Sequence, residues 1–128
     1  MPGIFKSMFT TPQRSGRRLQ RDAIAIIQSD QRGGSSENLQ RIADLTKEEL
    51  AGISNQLTVN PKNREVLVYE LQQKHKNARQ RRDYALFTAM TLVLIHLRAK
   101  DLGEHGQAAT ETIDRFIVNP LERNQDIN

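Results

Sequence analysis

Apolar positions along this chain recur at helical spacing, and the longest such pattern runs from Asn60 to Gly103. At about 100° per residue, Leu67, Leu71, Ala78, Ala85, Ala89 and Leu92 fall on one side of a helix. Asn60-Pro61 supplies a start signal, because Asn can cap free N–H groups and Pro loses nothing at a first helical position. Gly103 supplies the stop, since Gly accepts the left-handed conformation that ends many helices. Three Ala in the stripe would let a partner helix approach closely, so these six residues form the expected helix–helix interface. Between Lys74 and Arg82 charged and polar residues surround the axis, and between Tyr84 and Leu97 apolar ones do. The first part should therefore lie in solvent or against something acidic, and the second should be buried on most sides.

An unbroken helix over about 61–102 would be roughly 60 Å long. That is too long for a compact globule of 128 residues. Either the protein is elongated or oligomeric, or the helix bends near Asn77 and its halves fold together. The stripe keeps its phase through the basic section, so the unbroken helix is the expectation.

The remaining chain reads as shorter helices. Thr11-Pro12 opens one that should run to about Gln31 before Gly33-Gly34, with Leu19, Ala23, Ile26 and Ile27 inward. Gln31 to Ser36 reads as a flexible connection that caps the next helix; it lacks the Gly-Lys-Ser/Thr ending of a nucleotide-binding loop. From Ser36, Leu39, Ile42, Ala43 and Leu45 make one short helix. Thr46-Lys47-Glu48-Glu49 reads as a capping box that starts another, carrying Leu50, Ile53 and Leu57. This pair resembles a helix-turn-helix in outline only, because Glu48 and Glu49 would meet phosphates. A last helix is expected over about Gln107 to Asn119, with Ala109, Ile113, Phe116 and Ile117 on one face and Asn119-Pro120 as its end.

The expected fold is all-α: five or six helices around one long central helix, as a helical bundle or an elongated helical oligomer. The domain plan is an N-terminal docking segment (1–11), one helical domain (12–120) and a frayed tail (121–128). Composition agrees, because a 37% hydrophobic chain without Trp must build its core from Leu, Ile, Val and Ala. In the first segment, Ile4, Phe5, Met8 and Phe9 stand at helical spacing and are expected to dock on the protein's own core or a neighbouring subunit. The start lacks a secretory apolar run, no stretch is long enough to span a bilayer, and there is no Cys. A cytoplasmic or otherwise intracellular location is the expectation.

Charge changes this picture more than composition does. The net charge is +4, but residues 1–34 carry +4, 35–60 carry −2, 61–82 carry +5 and 83–128 carry −3. Arg14, Arg17, Arg18 and Arg21 stand at i, i+3, i+4 and i+7 of the first helix, opposite its apolar face. Arg binds phosphate or carboxylate through two parallel hydrogen bonds, and four without interleaved acids repel one another unless a partner neutralises them. Glu104, Glu111, Asp114 and Glu122 make the C-terminal end acidic and a natural complement. Lys74, His75, Lys76, Arg79, Arg81 and Arg82 form a second basic block around the helix axis, with Tyr84 as the nearest aromatic. Contact with nucleic acid through these residues would run through backbone charge and be largely indifferent to sequence.

Catalytic chemistry leaves no trace. His75, His96 and His105 share no metal-ligand spacing with one another or with a carboxylate, and no Ser sits in a nucleophile elbow. No catalytic residue, metal or cofactor is assigned. The first functional expectation is a non-enzymatic assembly or adaptor protein that self-associates, as a homo-oligomer, or docks on a protein partner through its long helix and apolar N-terminus. The alternative is sequence-indifferent binding of RNA or DNA through Arg14, Arg17, Arg18, Arg21, Lys74, Lys76, Arg79, Arg81 and Arg82. A basic amphipathic protein on an anionic membrane surface comes third.

Overall fold

The computed structural model describes residues 11–33 and 36–119, and the fold among them is an all-α bundle. The expected docking residues Ile4, Phe5, Met8 and Phe9, the acidic Glu122 and the C-terminal tail lie outside the described residues. Helix α1 spans Pro12–Gly33, α2 Ser36–Val59, α3 Arg64–Gln80, α4 Tyr84–Asp101 and α5 Gln107–Ile113. A 3-10 turn over Pro61–Asn63 precedes α3, another over Gly103–Gly106 precedes α5, and a π-helical turn over Asp114–Val118 follows α5.

The start signals act as read. The Thr11 hydroxyl accepts from the Arg14 N–H at 3.1 Å, with Pro12 first in α1. The Asn60 side chain accepts from the Lys62 N–H at 3.2 Å and starts the turn that leads into α3. Gly103 adopts φ +57° where α4 ends.

Two expectations are corrected. The long helix over 61–102 does not form: α3 ends at Gln80 and α4 begins at Tyr84. The break is a Schellman-type end, in which the Asp83 N–H donates to the Ala78 carbonyl at 2.9 Å and the Arg82 N–H to that of Arg79 at 3.1 Å. Arg82 occupies the left-handed position, φ +59°. Asp83 then caps α4, its carboxylate accepting from the Leu86 N–H at 3.3 Å. The chain therefore reverses at Arg81–Asp83 rather than bending near Asn77, and α3 folds back along α4. The second correction is at Thr46, which starts no helix. The apolar edge Leu39, Ile42, Ala43, Leu50, Ile53, Leu57 keeps one helical phase across it, so α2 is continuous. Thr46 is fully buried, and its hydroxyl donates to the Ile42 carbonyl at 2.7 Å. A single helix also removes the helix-turn-helix outline.

Helix α4 is the centre, and at 18 residues it fits the bundle that a helix of 60 Å would have overrun. Ala85, Ala89, Met90, Leu92, Val93, Ile95, His96, Leu97 and Ala99 are all buried, because α1, α2, α3 and α5 pack around it. Each fully buried Leu, Ile or Met side chain contributes about 1.5–3 kcal/mol by leaving water. The six stripe residues Leu67, Leu71, Ala78, Ala85, Ala89 and Leu92 are all buried within this one chain. They join α3 to α4 and to the core, and offer no surface to a second molecule.

Candidate functional site

Helix α1 is held by an unusually close contact. A Cβ built on Gly16 would stand 1.8 Å from the His105 carbonyl oxygen, so only Gly lets α1 press onto the Gly103–Gly106 turn. Leu19, Ala23 and Ile27 continue that packed face into the core. The helical advance places Arg14, Arg17, Arg18 and Arg21 on the opposite side, and all four are exposed.

None of the four guanidinium groups forms an ion pair with a described residue. Among the described residues, the pairs are Arg41–Asp83 at 3.3 Å, Lys74–Glu49 at 2.8 Å, Arg64–Asp101 and, when the imidazole is charged, His96–Asp114. Two of the expected acidic partners are engaged elsewhere: Asp114 meets His96, and Glu111 accepts from the Gln107 amide at 2.9 Å. Glu104 is exposed in the turn beside α1 and forms no ion pair with any described residue. A shallow groove runs along this side of α1, lined by Thr11, Gln13, Arg14, Arg17, Gln20 and Arg21. Among the described residues its lining contains donors and no carboxylate, the surface chemistry that an anion needs.

The second basic block is not continuous with the first. Gly16 sits against His105, beyond the C-terminal end of α4, whereas Arg79, Arg81 and Arg82 surround the turn at its N-terminal end. The length of α4, about 27 Å at 1.5 Å per residue, separates those two ends. Lys74 is drawn to Glu49, while Lys76, Arg79, Arg81 and Arg82 are exposed. Arg41, which sequence reasoning did not select, reaches this turn from α2 by pairing with Asp83. With Glu37 four residues before it and Asp44 three after, it reads in the sequence as an ordinary helix-surface cation, too common to single out.

The histidines stand apart from one another. His75 stacks on Phe87, ring centroids 4.2 Å apart, and its Nε2 lies 2.9 Å from the Thr91 hydroxyl. Burial, then the positive charge of Arg79, lowers its pKa below 6.5. His96 is buried between α4 and the π turn, its Nε2 3.1 Å from an Asp114 carboxylate oxygen and its Nδ1 without a partner among the described residues. Burial lowers its pKa and outweighs Asp114, which raises it. His105 is exposed in the turn beside Gly16. No three His, Asp or Glu side chains among the described residues gather as a metal site, and no described helix is long and apolar enough to cross a membrane.

No protein-family model matches this chain, and neither does any curated protein or solved structure.

Proposed function

We propose that this protein is a non-enzymatic helical binding module that holds nucleic acid by its phosphates, largely without regard to sequence, on the Arg14, Arg17, Arg18 and Arg21 face of α1. The observation that carries the reading is the set of four exposed guanidinium groups, unpaired among the described residues, opposite the packed side of a rigidly seated helix. From Arg14 to Arg21 the helix rises about 10.5 Å, roughly three axial phosphate steps of one duplex strand, which span four phosphates. A regular row of planar donors suits a regular row of phosphates better than the irregular acids of a protein surface. Repulsion among the four destabilises the free protein slightly and is relieved on binding, so the stripe favours the bound state.

The test is charge reversal. Arg17→Glu with Arg18→Glu should abolish binding to mixed-sequence RNA and duplex DNA while leaving the helical circular dichroism unchanged. Affinity that survives the double change would remove α1 as the contact surface.

An assembly or adaptor role is the second reading, and a specific feature favours it. Leu19, Ala25, Ile26, Leu94 and Ile95 line an open apolar groove between α1 and α4 that could take an apolar segment of a partner. With the Ala-rich stripe buried, this groove replaces the long helix as the surface on which such a role would rest.

A further inference from the structure

The turn between α3 and α4 carries a backbone cost that the described molecule does not recover. Ending α3 with a Schellman-type pair of hydrogen bonds requires one residue at positive φ, and Gly or Asn is the usual occupant. Here it is Arg82, at φ +59°. Its exposed side chain makes no ion pair or hydrogen bond with any described residue. A strained residue whose side chain gains nothing inside the fold points to something outside it.

What surrounds Arg82 specifies that partner. Tyr84, two residues on and first in α4, is 67% exposed. The one acid of the turn, Asp83, is spent twice: Oδ1 caps α4, and Oδ2 pairs with Arg41. Arg79 stands exposed one residue before the end of α3, and Lys76 one turn earlier. Arg81 is set apart from them, because it lines a cleft shared with Glu48, Glu49 and Lys74. The turn thus presents an exposed aromatic ring flanked by cations, with its own carboxylate already engaged.

Resting on the nucleic-acid reading of α1, we infer that this turn is a second contact that recognises unpaired nucleotides. Tyr84 stacks on a base, and Arg82 and Arg79 hold the adjoining phosphates. A ring can stack only on a base face that a duplex hides, so the turn gives the protein a preference for single strands that α1 lacks. Tyr69 is a natural comparison: it is 62% exposed in α3, but its helical neighbours at three and four residues are Glu65, Val66, Gln72 and Gln73.

The experiment compares a mixed-pyrimidine single strand long enough to pass along α4 with the same strand annealed to its complement. Tyr84→Ala should weaken single-strand binding by roughly 5- to 150-fold, the range of base–aromatic stacking, and leave duplex binding unchanged. Tyr84→Phe should retain the affinity, and Tyr69→Ala should have no effect. Because the chain has two Tyr and no Trp, the emission of a Tyr69→Phe protein reports Tyr84 alone, and the single strand should quench it. If Tyr84→Ala changes neither affinity, or both alike, the stacking assignment falls. The α1 reading then still stands wherever Arg17→Glu/Arg18→Glu abolishes binding. If the unaltered protein binds neither probe, both fall together.

Discussion

Arg82 is the residue at which stability and binding oppose each other. In the left-handed region a side chain costs roughly 1–2 kcal/mol that Gly avoids. Arg82→Gly should therefore raise the stability by about 1 kcal/mol in urea unfolding while weakening single-strand binding. An unchanged or lowered midpoint would mean that the guanidinium contributes to the fold. His96 sets a pH dependence by its burial. Its neutral ring donates from Nε2 to Asp114 and leaves Nδ1 without a partner among the described residues, so protonation would place a charge in the core. With the folded pKa below 6.5, the unfolded chain binds more protons in the interval between the two values. Stability should thus be full above pH 6.5 and fall as the pH drops from 6.5 to the folded pKa, with His75 adding in the same direction. His96→Leu should flatten that fall in denaturant titrations across pH; an identical slope in the variant would rule His96 out as its source.

At the scale of elements, the five helices follow from apolar phase, caps and stop residues, and most of this was legible. Thr11-Pro12, Asn60-Pro61 and Gly103 carry their chemistry in their residue types. The break at Arg82 was not legible, because it uses neither Gly nor Pro and because the buried stripe keeps a seven-residue spacing across the turn. Asp83 directly before an apolar run was the available signal, and it is a cap. Thr46 misled in the opposite sense: a capping-box pattern in the middle of a stripe whose phase never changes belongs to one helix. Gly16 and Gly52 show that helical glycines are not equivalent. Gly16→Ala gains helix propensity but drives a Cβ into the His105 carbonyl, so it should destabilise by about 1–3 kcal/mol. Gly52 has no atom within 4 Å of such a Cβ, and Gly52→Ala in exposed α2 should stabilise by about 0.5–1 kcal/mol. Thermal unfolding of both variants distinguishes the two sites; equal effects would contradict the close seating of α1.

Over the whole molecule, the alternation of basic and acidic blocks becomes a spatial arrangement. The first basic block lies on the outer face of α1, and the second collects at the turn on the far end of α4. The fold class could be read from periodicity because burial is dictated by patterns within one helix. Which cations remain unpaired could not, since it depends on where distant carboxylates land. Glu49 takes Lys74, and Asp83 takes Arg41 from α2. The four Arg of α1 were selected from spacing alone, and their freedom from ion pairs with the described residues is a property of the assembled bundle.

The salt dependence of binding to mixed-sequence duplex DNA tests the central claim most directly. Four phosphate contacts release counterions in proportion, so log affinity should fall linearly with log salt at a slope of about −3.6, and the loss between 50 and 200 mM should be roughly 100-fold. Replacing Arg17 alone by Ala should reduce that slope by about 0.9. A slope near zero, or one that the Arg17 change leaves untouched, would contradict the account and return α1 to the role of a solvated helix face.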